Sequence, residues 1–154
     1  MTKYLRSLSM AVLCAVWGEP ALAEPSPVAA ALEEYMDFAE YGSGVILPEQ
    51  IPEPEWAKIL VIDARNGQQY EKVHIPGAIN IDWRRLPARR HEIPKERMVV
   101  VYCNTGALSA QGVFALRVLG WDNVRVLQGG LEGWQAKGGF HAYQRASGQR
   151  GTEP

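Results

Sequence analysis

Cysteine is nearly absent from the 154-residue chain, which holds only Cys14 and Cys103. That excludes a disulfide framework. Histidine is also scarce. His74, His91 and His141 lie far apart, and with so few cysteines they make no zinc-ligand spacing. Charge of either sign is in no excess: 16 Lys and Arg stand against 17 Asp and Glu, a net charge of -1. No basic surplus points to nucleic acid, and no acidic tail is present. Long apolar runs are missing too. The most membrane-like stretch, Ser7 to Trp17, has eleven residues, whereas a spanning helix needs about 20. There is no internal repeat and no low-complexity tract.

What is there begins with the N-terminus. Lys3 and Arg6 precede the apolar run, Gly18-Glu19-Pro20 ends it, and Ala21-Leu22-Ala23 supplies small residues where a signal peptidase reads. This pattern predicts a secretory signal over residues 1–23, cleaved before Glu24, and hence export. A lipid anchor is not expected, because Leu13 stands before Cys14 where a small residue is required. Cleavage removes Cys14. Cys103 becomes the one cysteine of the mature chain, unable to form an internal disulfide and without a resolving thiol. Thioredoxin-type exchange is disfavoured accordingly.

A hydrophobic content of 47% with 21% charged residues fits a single globular domain. Ser26-Pro27 reads as an N-cap followed by proline at the first helical position. The spacing predicts a helix over Ala29 to Tyr41, with Leu32, Tyr35, Met36 and Ala39 on one face. Residues 24–44 thus form an N-terminal helical arm, ended by Gly42-Ser43-Gly44. Short strands are predicted at Val45–Leu47, Ile59–Ile62 and Ala78–Ile81, then from Met98 and over Val124–Leu127. Helical turns or helices are predicted at Gln69–Val73, Trp83–Arg90, Ala110–Leu119 and Leu131–Lys137. The tail beyond Ala146, residues 146–154, is expected to be flexible. Six Arg and Lys between Arg84 and Arg97 read as a solvated face. Strands alternating with helices imply an α/β fold, with a central, mainly parallel five-stranded sheet flanked by helices. In such sheets ligands gather at the carboxyl ends of the strands. Asp63-Ala64-Arg65, Cys103 and Gln128-Gly129-Gly130 all follow strand ends and are expected to converge there.

The centre of that edge is Cys103. Asn104, Thr105, Gly106, Ala107, Leu108 and Ser109 offer consecutive backbone N–H groups at a helix N-terminus. Gly106 permits the positive φ that curls the loop. Curled amides form an anion-binding nest, and the helix dipole adds positive potential. Comparable placements lower a cysteine pKa to about 3.5–7.5. The result is a nucleophilic thiolate.

Four stretches, in order, resemble the rhodanese family, specifically its single-domain exported members. Ile59 to Arg65 is similar to the family strand ending in Asp-x-Arg. Glu71-Lys72-Val73-His74-Ile75-Pro76-Gly77-Ala78-Ile79-Asn80 resembles its His-Ile-Pro-Gly-Ala segment. Cys103-Asn104-Thr105-Gly106 resembles the catalytic Cys-x-x-Gly, and Leu127 to Trp134 resembles the closing Gly-Gly-x-x-x-Trp. The resemblance runs from about Val45 to Gly138, within a domain placed at residues 45–145.

The resemblance implies a sulfurtransferase. Cys103 would take sulfane sulfur from thiosulfate, or from a persulfide or polysulfide, and pass it to cyanide, a thiol or a protein acceptor. No metal or organic cofactor is implied, and no nucleic acid or membrane partner once the signal is removed. A periplasmic location is implied. Asp63 and Arg65 are read as supporting residues. Arg65 is expected in a structural ion pair, with Glu71 as one candidate partner. The chain departs from many relatives at Leu108, where they carry Arg. The related phosphatases of this fold have a loop one residue longer that ends in Arg; Leu108 and Ser109 occupy those places here, which disfavours phosphoryl chemistry. The alternative from another class is a persulfide carrier or sulfur-binding module without turnover, docking through the N-terminal helix.

Overall fold

The computed structural model describes residues 26–150. The expected signal over residues 1–23 lies outside them. Five strands form the sheet: β1 (Val45–Ile46), β2 (Leu60–Asp63), β3 (Ile79–Asn80), β4 (Val99–Tyr102) and β5 (Val124–Leu127). Their order is β1-β5-β4-β2-β3, and every pairing is parallel. The sheet expected to be mainly parallel is therefore parallel throughout.

The central strand explains itself. Each residue of Val99-Val100-Val101-Tyr102 is fully buried, as a β-branched run covered on both faces should be. Side chains alternate across it. Val99 and Val101 join Ile62, Leu86, Val113 and Leu116 on one face. Val100 and Tyr102 join Ile75, Leu127, Leu131 and Trp134 on the other. Helix α3 (Ala107–Val118) covers the first face and α4 (Gly130–Ala136) the second. Burying a side chain such as Leu116 contributes roughly 1.5–3 kcal/mol. Trp56, Trp134 and Phe140 meet edge to face at the far side of the second core.

Gly112 lies inside α3, where glycine costs about 1 kcal/mol relative to alanine. A Cβ there would collide with the tip of Leu86 and lie 3.4 Å from the Trp83 carbonyl. The tight approach is thus to the turn at Trp83–Arg85 and Leu86, and not to the sheet itself.

Helix α1 (Pro27–Phe38) starts where the N-cap reading places it, with Ser26 Oγ accepting from the Ala29 N–H at 3.1 Å. It ends at Phe38, three residues before the expected Tyr41. It buries no residue fully. Tyr35 helps to anchor it, edge-on to Phe114 and accepting from Arg117 Nε at 3.0 Å. Met36, expected on the packing face, is exposed. Helix α2 (Gly67–Lys72) begins two residues before the predicted turn because Asn66 caps it, its Oδ1 accepting from the Gln69 N–H. Helix α5 (Ala142–Arg150) enters the stretch expected to be flexible beyond Ala146, of which residues 151–154 lie outside those described. Within the basic stretch, Arg89 pairs with Glu92 and Arg84 with Asp82, so two of its six cations are met by neighbouring carboxylates.

Candidate active site

Strand β4 delivers Cys103 into the loop at the carboxyl edge of the sheet. The chain then turns through Asn104, Thr105 and Gly106. Gly106 has φ +103° and is the N-cap of α3. This left-handed conformation aims its N–H back at the cysteine, 3.2 Å from Sγ. Ser109, fully buried in the first turn of α3, places Oγ 3.7 Å from Sγ and 3.0 Å from the Gly106 carbonyl oxygen. Cys103 itself is 3% exposed. Burial pushes its thiol up. The N–H and hydroxyl of Ser109 and the N–H groups of Thr105 and Gly106 outweigh this and hold it below the usual thiol range. The dominant stabilisers of the thiolate are backbone dipoles and one hydroxyl.

The loop is held from below by a second turn. Gly129 and Gly130 both have positive φ, +77° and +59°. The geometry brings the start of α4 against the cysteine loop. The Leu131 N–H donates to the Cys103 carbonyl oxygen at 2.8 Å, and the Glu132 N–H to that of Asn104 at 3.0 Å. A Cβ on Gly130 would lie 2.5 Å from both carbonyl oxygens. The expected convergence of the β4 and β5 ends is therefore a direct backbone contact.

The β2 end holds the loop from the side. Arg65 is 4% exposed and pairs with Asp63, not with Glu71. Its Nε donates to Asp63 Oδ1 at 2.9 Å and its Nη2 to Asp63 Oδ2 at 2.5 Å. Nη2 also donates to the Val73 carbonyl oxygen, and Nη1 to Asn104 Oδ1 at 3.1 Å. Asp63 raises the basicity of the guanidinium, keeping it charged. Arg65 is thus a strut from β2 to the cysteine loop. Tyr102 extends the same network: its hydroxyl accepts from the Ile75 N–H at 3.0 Å, and burial pushes its phenol up.

Of the residues singled out in the sequence, Asn104, Thr105, Gly106 and Ser109 surround Cys103 as a curled loop. Ala107 and Leu108 lie on the outer side of the first turn of α3, both exposed. Two contributors were not anticipated. The Ser109 side chain, and not only its amide, reaches Sγ. Tyr102 ties the strand to the Ile75 turn. Serine three residues beyond a loop glycine, inside an otherwise apolar helix start, is the signal that marks the first. His74 is a structural residue, its Nδ1 2.8 Å from the Tyr70 carbonyl oxygen and its ring stacked on Tyr70. Among the described residues no cluster of three His, Cys, Asp or Glu is grouped to hold a metal ion.

A parallel sheet presents a cradled, buried cysteine at its carboxyl edge, in an α/β domain flanked by helices. Residues 47–137 match the family model described as the rhodanese-like domain. The chain belongs to the rhodanese-like family. It is 36% identical over 80 residues to a sulfurtransferase of Allochromatium vinosum, covering 52% of this chain and 75% of that protein. It is 33% identical over 78 residues to the thiosulfate sulfurtransferase GlpE of Coxiella burnetii, covering 51% and 73%. Among solved structures it is similar to the rhodanese-like domain of an Anabaena protein, with TM-score 0.56 and 27% identity over 62% of this chain and 76% of that one. The family and the names of these relatives support a sulfurtransferase.

Proposed function

We propose that the chain is an exported, periplasmic sulfurtransferase that carries sulfane sulfur on Cys103. The thiolate attacks the outer sulfur of thiosulfate, or of a persulfide or polysulfide. The donor S–S bond breaks, and sulfite or a thiolate departs with the electron pair. Cys103 is left as a persulfide anion. Cyanide or a thiol then attacks the outer sulfur, and the Cys103 thiolate is the leaving group. Two half-reactions that share one covalent intermediate produce ping-pong kinetics.

One observation carries this reading: the Gly106 N–H and the Ser109 hydroxyl converge on Sγ. Donors fixed before reaction stabilise charge without reorganisation. They favour the thiolate, and after transfer they face the persulfide anion that replaces it. The chemistry needs no side-chain base. With Cys14 removed in the signal, the acceptor comes from outside the chain.

Steady-state turnover with thiosulfate or a persulfide as donor and cyanide as acceptor tests the proposal. Turnover that is lost in Cys103→Ala is the expected result. Turnover retained in that variant contradicts it. The carrier reading draws on α1, which leaves Met36 and Phe38 exposed at 65% and 82%. A stable persulfide without turnover, and release of sulfur only to a protein docked on α1, is the outcome that favours it.

A further inference from the structure

We propose that the cavity between α1 and the far end of α3 binds a tetrahedral oxyanion of the phosphate or sulfate class, gripped by Arg125 with Arg117, Tyr35 and Ser43 around it. The site is independent of the sulfurtransferase reading. Cys103 precedes α3, and Arg117 lies near its other end. At about 1.5 Å per residue the two are on the order of 15 Å apart along the helix.

Arg117 is 8% exposed, yet no carboxylate lies within ion-pair distance of it among the described residues. Its Nε donates to the Tyr35 hydroxyl at 3.0 Å and its Nη2 to Ser43 Oγ at 3.0 Å. Its Nη1 donates to the Asp122 and Val124 carbonyl oxygens. Every one of these acceptors is neutral. Arg65, the other buried arginine, has Asp63 as its counter-charge. A buried cation met only by dipoles leaves an anion to be supplied from outside.

Arg125, partly buried, lines the same cavity. Its Nη1 donates to the same two carbonyl oxygens, those of Asp122 and Val124. Its Nε and Nη2 have no partner among the described residues. These two nitrogens form one edge of the guanidinium, the fork that takes two oxygens of a phosphate or sulfate at once. Burial, and next the Arg117 charge, lower the Arg125 guanidinium from its ordinary value, with Asp122 opposing. The two cations thus sense each other. The hydroxyls add donors. Tyr35 and Ser43 each accept from Arg117, and neither passes its own proton to an acceptor among the described residues, so both can donate to an anion.

The cavity these four residues share has a volume of about 540 Å³. Glu34, Glu40 and Asp122 also border it. Their carboxylates belong to exposed residues and pair with neither arginine. Solvent screens their repulsion, which keeps binding modest without abolishing it. An anion seated here touches α1 through Tyr35, the turn after it through Ser43, and the domain through Arg117 and Arg125. It therefore fastens an arm that buries no residue of its own.

Calorimetric titration of the purified protein with inorganic phosphate and, separately, inorganic sulfate tests the site, at an ionic strength held constant with sodium chloride. Amide hydrogen exchange in α1 is followed alongside. Saturable binding of at least one anion is expected, with a dissociation constant on the order of 1 mM, together with slower exchange in α1. Binding of one and not the other identifies the anion the site takes. Arg125→Gln should weaken binding by about tenfold or more, the order of one charge-assisted hydrogen bond. Arg125→Lys, which keeps the charge and loses the fork, should fall between. Arg89→Gln, at an arginine held by Glu92, should bind as the wild type does. Failure of both anions to saturate by about 20 mM overturns the proposal. So does undiminished binding in Arg125→Gln of native circular dichroism, and so does α1 exchange that is indifferent to the bound anion.

Discussion

Gly130→Ala tests the way the site is built. Gly130 has φ +59°, and an added Cβ would lie 2.5 Å from the Cys103 and Asn104 carbonyl oxygens. The three nearest atoms are all backbone of the cysteine loop, so no flexible side chain relieves the clash. The left-handed conformation costs an alanine roughly 1–2 kcal/mol. Overpacking adds about 1–3 kcal/mol. The substitution therefore costs roughly 2–5 kcal/mol, the clash being added to the conformational cost. The loop also moves away from the Leu131 and Glu132 N–H groups that hold it. Gly77→Ala separates the two costs. Gly77 has φ +85°, but nothing lies within 4 Å of its Cβ position. That variant should lose only about 1–2 kcal/mol. Urea unfolding, with an m-value of about 1–3 kcal/mol/M, reads the difference as a separate midpoint for each variant. Sulfur loading on Cys103 should slow sharply in Gly130→Ala and stay normal in Gly77→Ala. Equal midpoints and equal loading in the two variants would refute the idea that α4 holds the cysteine loop through this contact.

Four other perturbations follow from the same geometry. Cys103 should react with iodoacetamide with a midpoint below the usual thiol value of about 8.5, because the Ser109 and Gly106 donors outweigh burial. The sign for stability is that of a depressed acid. The thiolate stabilises the fold above the unfolded thiol pKa, and the effect fades as pH falls through the lower folded value; urea midpoints that do not rise with pH relative to Cys103→Ser would contradict it. Ser109→Ala removes one donor worth about 0.5–1.5 kcal/mol, so the alkylation midpoint should move up by about one pH unit or less, and an unmoved midpoint would place the hydroxyl outside the thiolate's shell. Arg65→Leu leaves Asp63 buried without its partner, at a cost of about 3–5 kcal/mol, read by urea unfolding; a loss below about 1 kcal/mol, as for a surface pair, would show that the strut is not needed. Gly112→Ala, a stabilising change in an open helix by about 1 kcal/mol, should destabilise here because Leu86 occupies the space, and a raised thermal midpoint would show that Leu86 can move.

The fold was legible where a local pattern has one physical meaning. The apolar runs Ile59–Ile62 and from Met98 read as strands, the first of them covered on both faces, and Gly106 marked the positive φ that curls the cysteine loop. The edge strand β1 and the N-cap at Ser26 followed from local chemistry too. What was less legible depends on contacts made across the chain. Arg65 could have paired with Glu71 on sequence distance; the tight turn after β2 turns it back on Asp63 instead. Met36 looked like a packing residue by period, but it stays exposed while Tyr35 packs on Phe114 and Arg117 of α3. The partner of Gly112 was hidden because Leu86 arrives from a different crossover. Helix α5 has little apolar patterning to announce it; Ala142 is the one described residue it buries. The role of Ser109 needed the curl of the loop, which no periodicity carries.

The central claim is that Cys103 takes up sulfane sulfur. Intact-mass measurement of the reduced, purified protein after exposure to a hydropersulfide and, separately, to thiosulfate tests it most directly. The account predicts a gain of one sulfur atom with at least one donor, located on Cys103 by peptide mapping, removed by cyanide and absent in Cys103→Ala. A protein that gains no sulfur from either donor, or gains it equally in Cys103→Ala, would contradict the account.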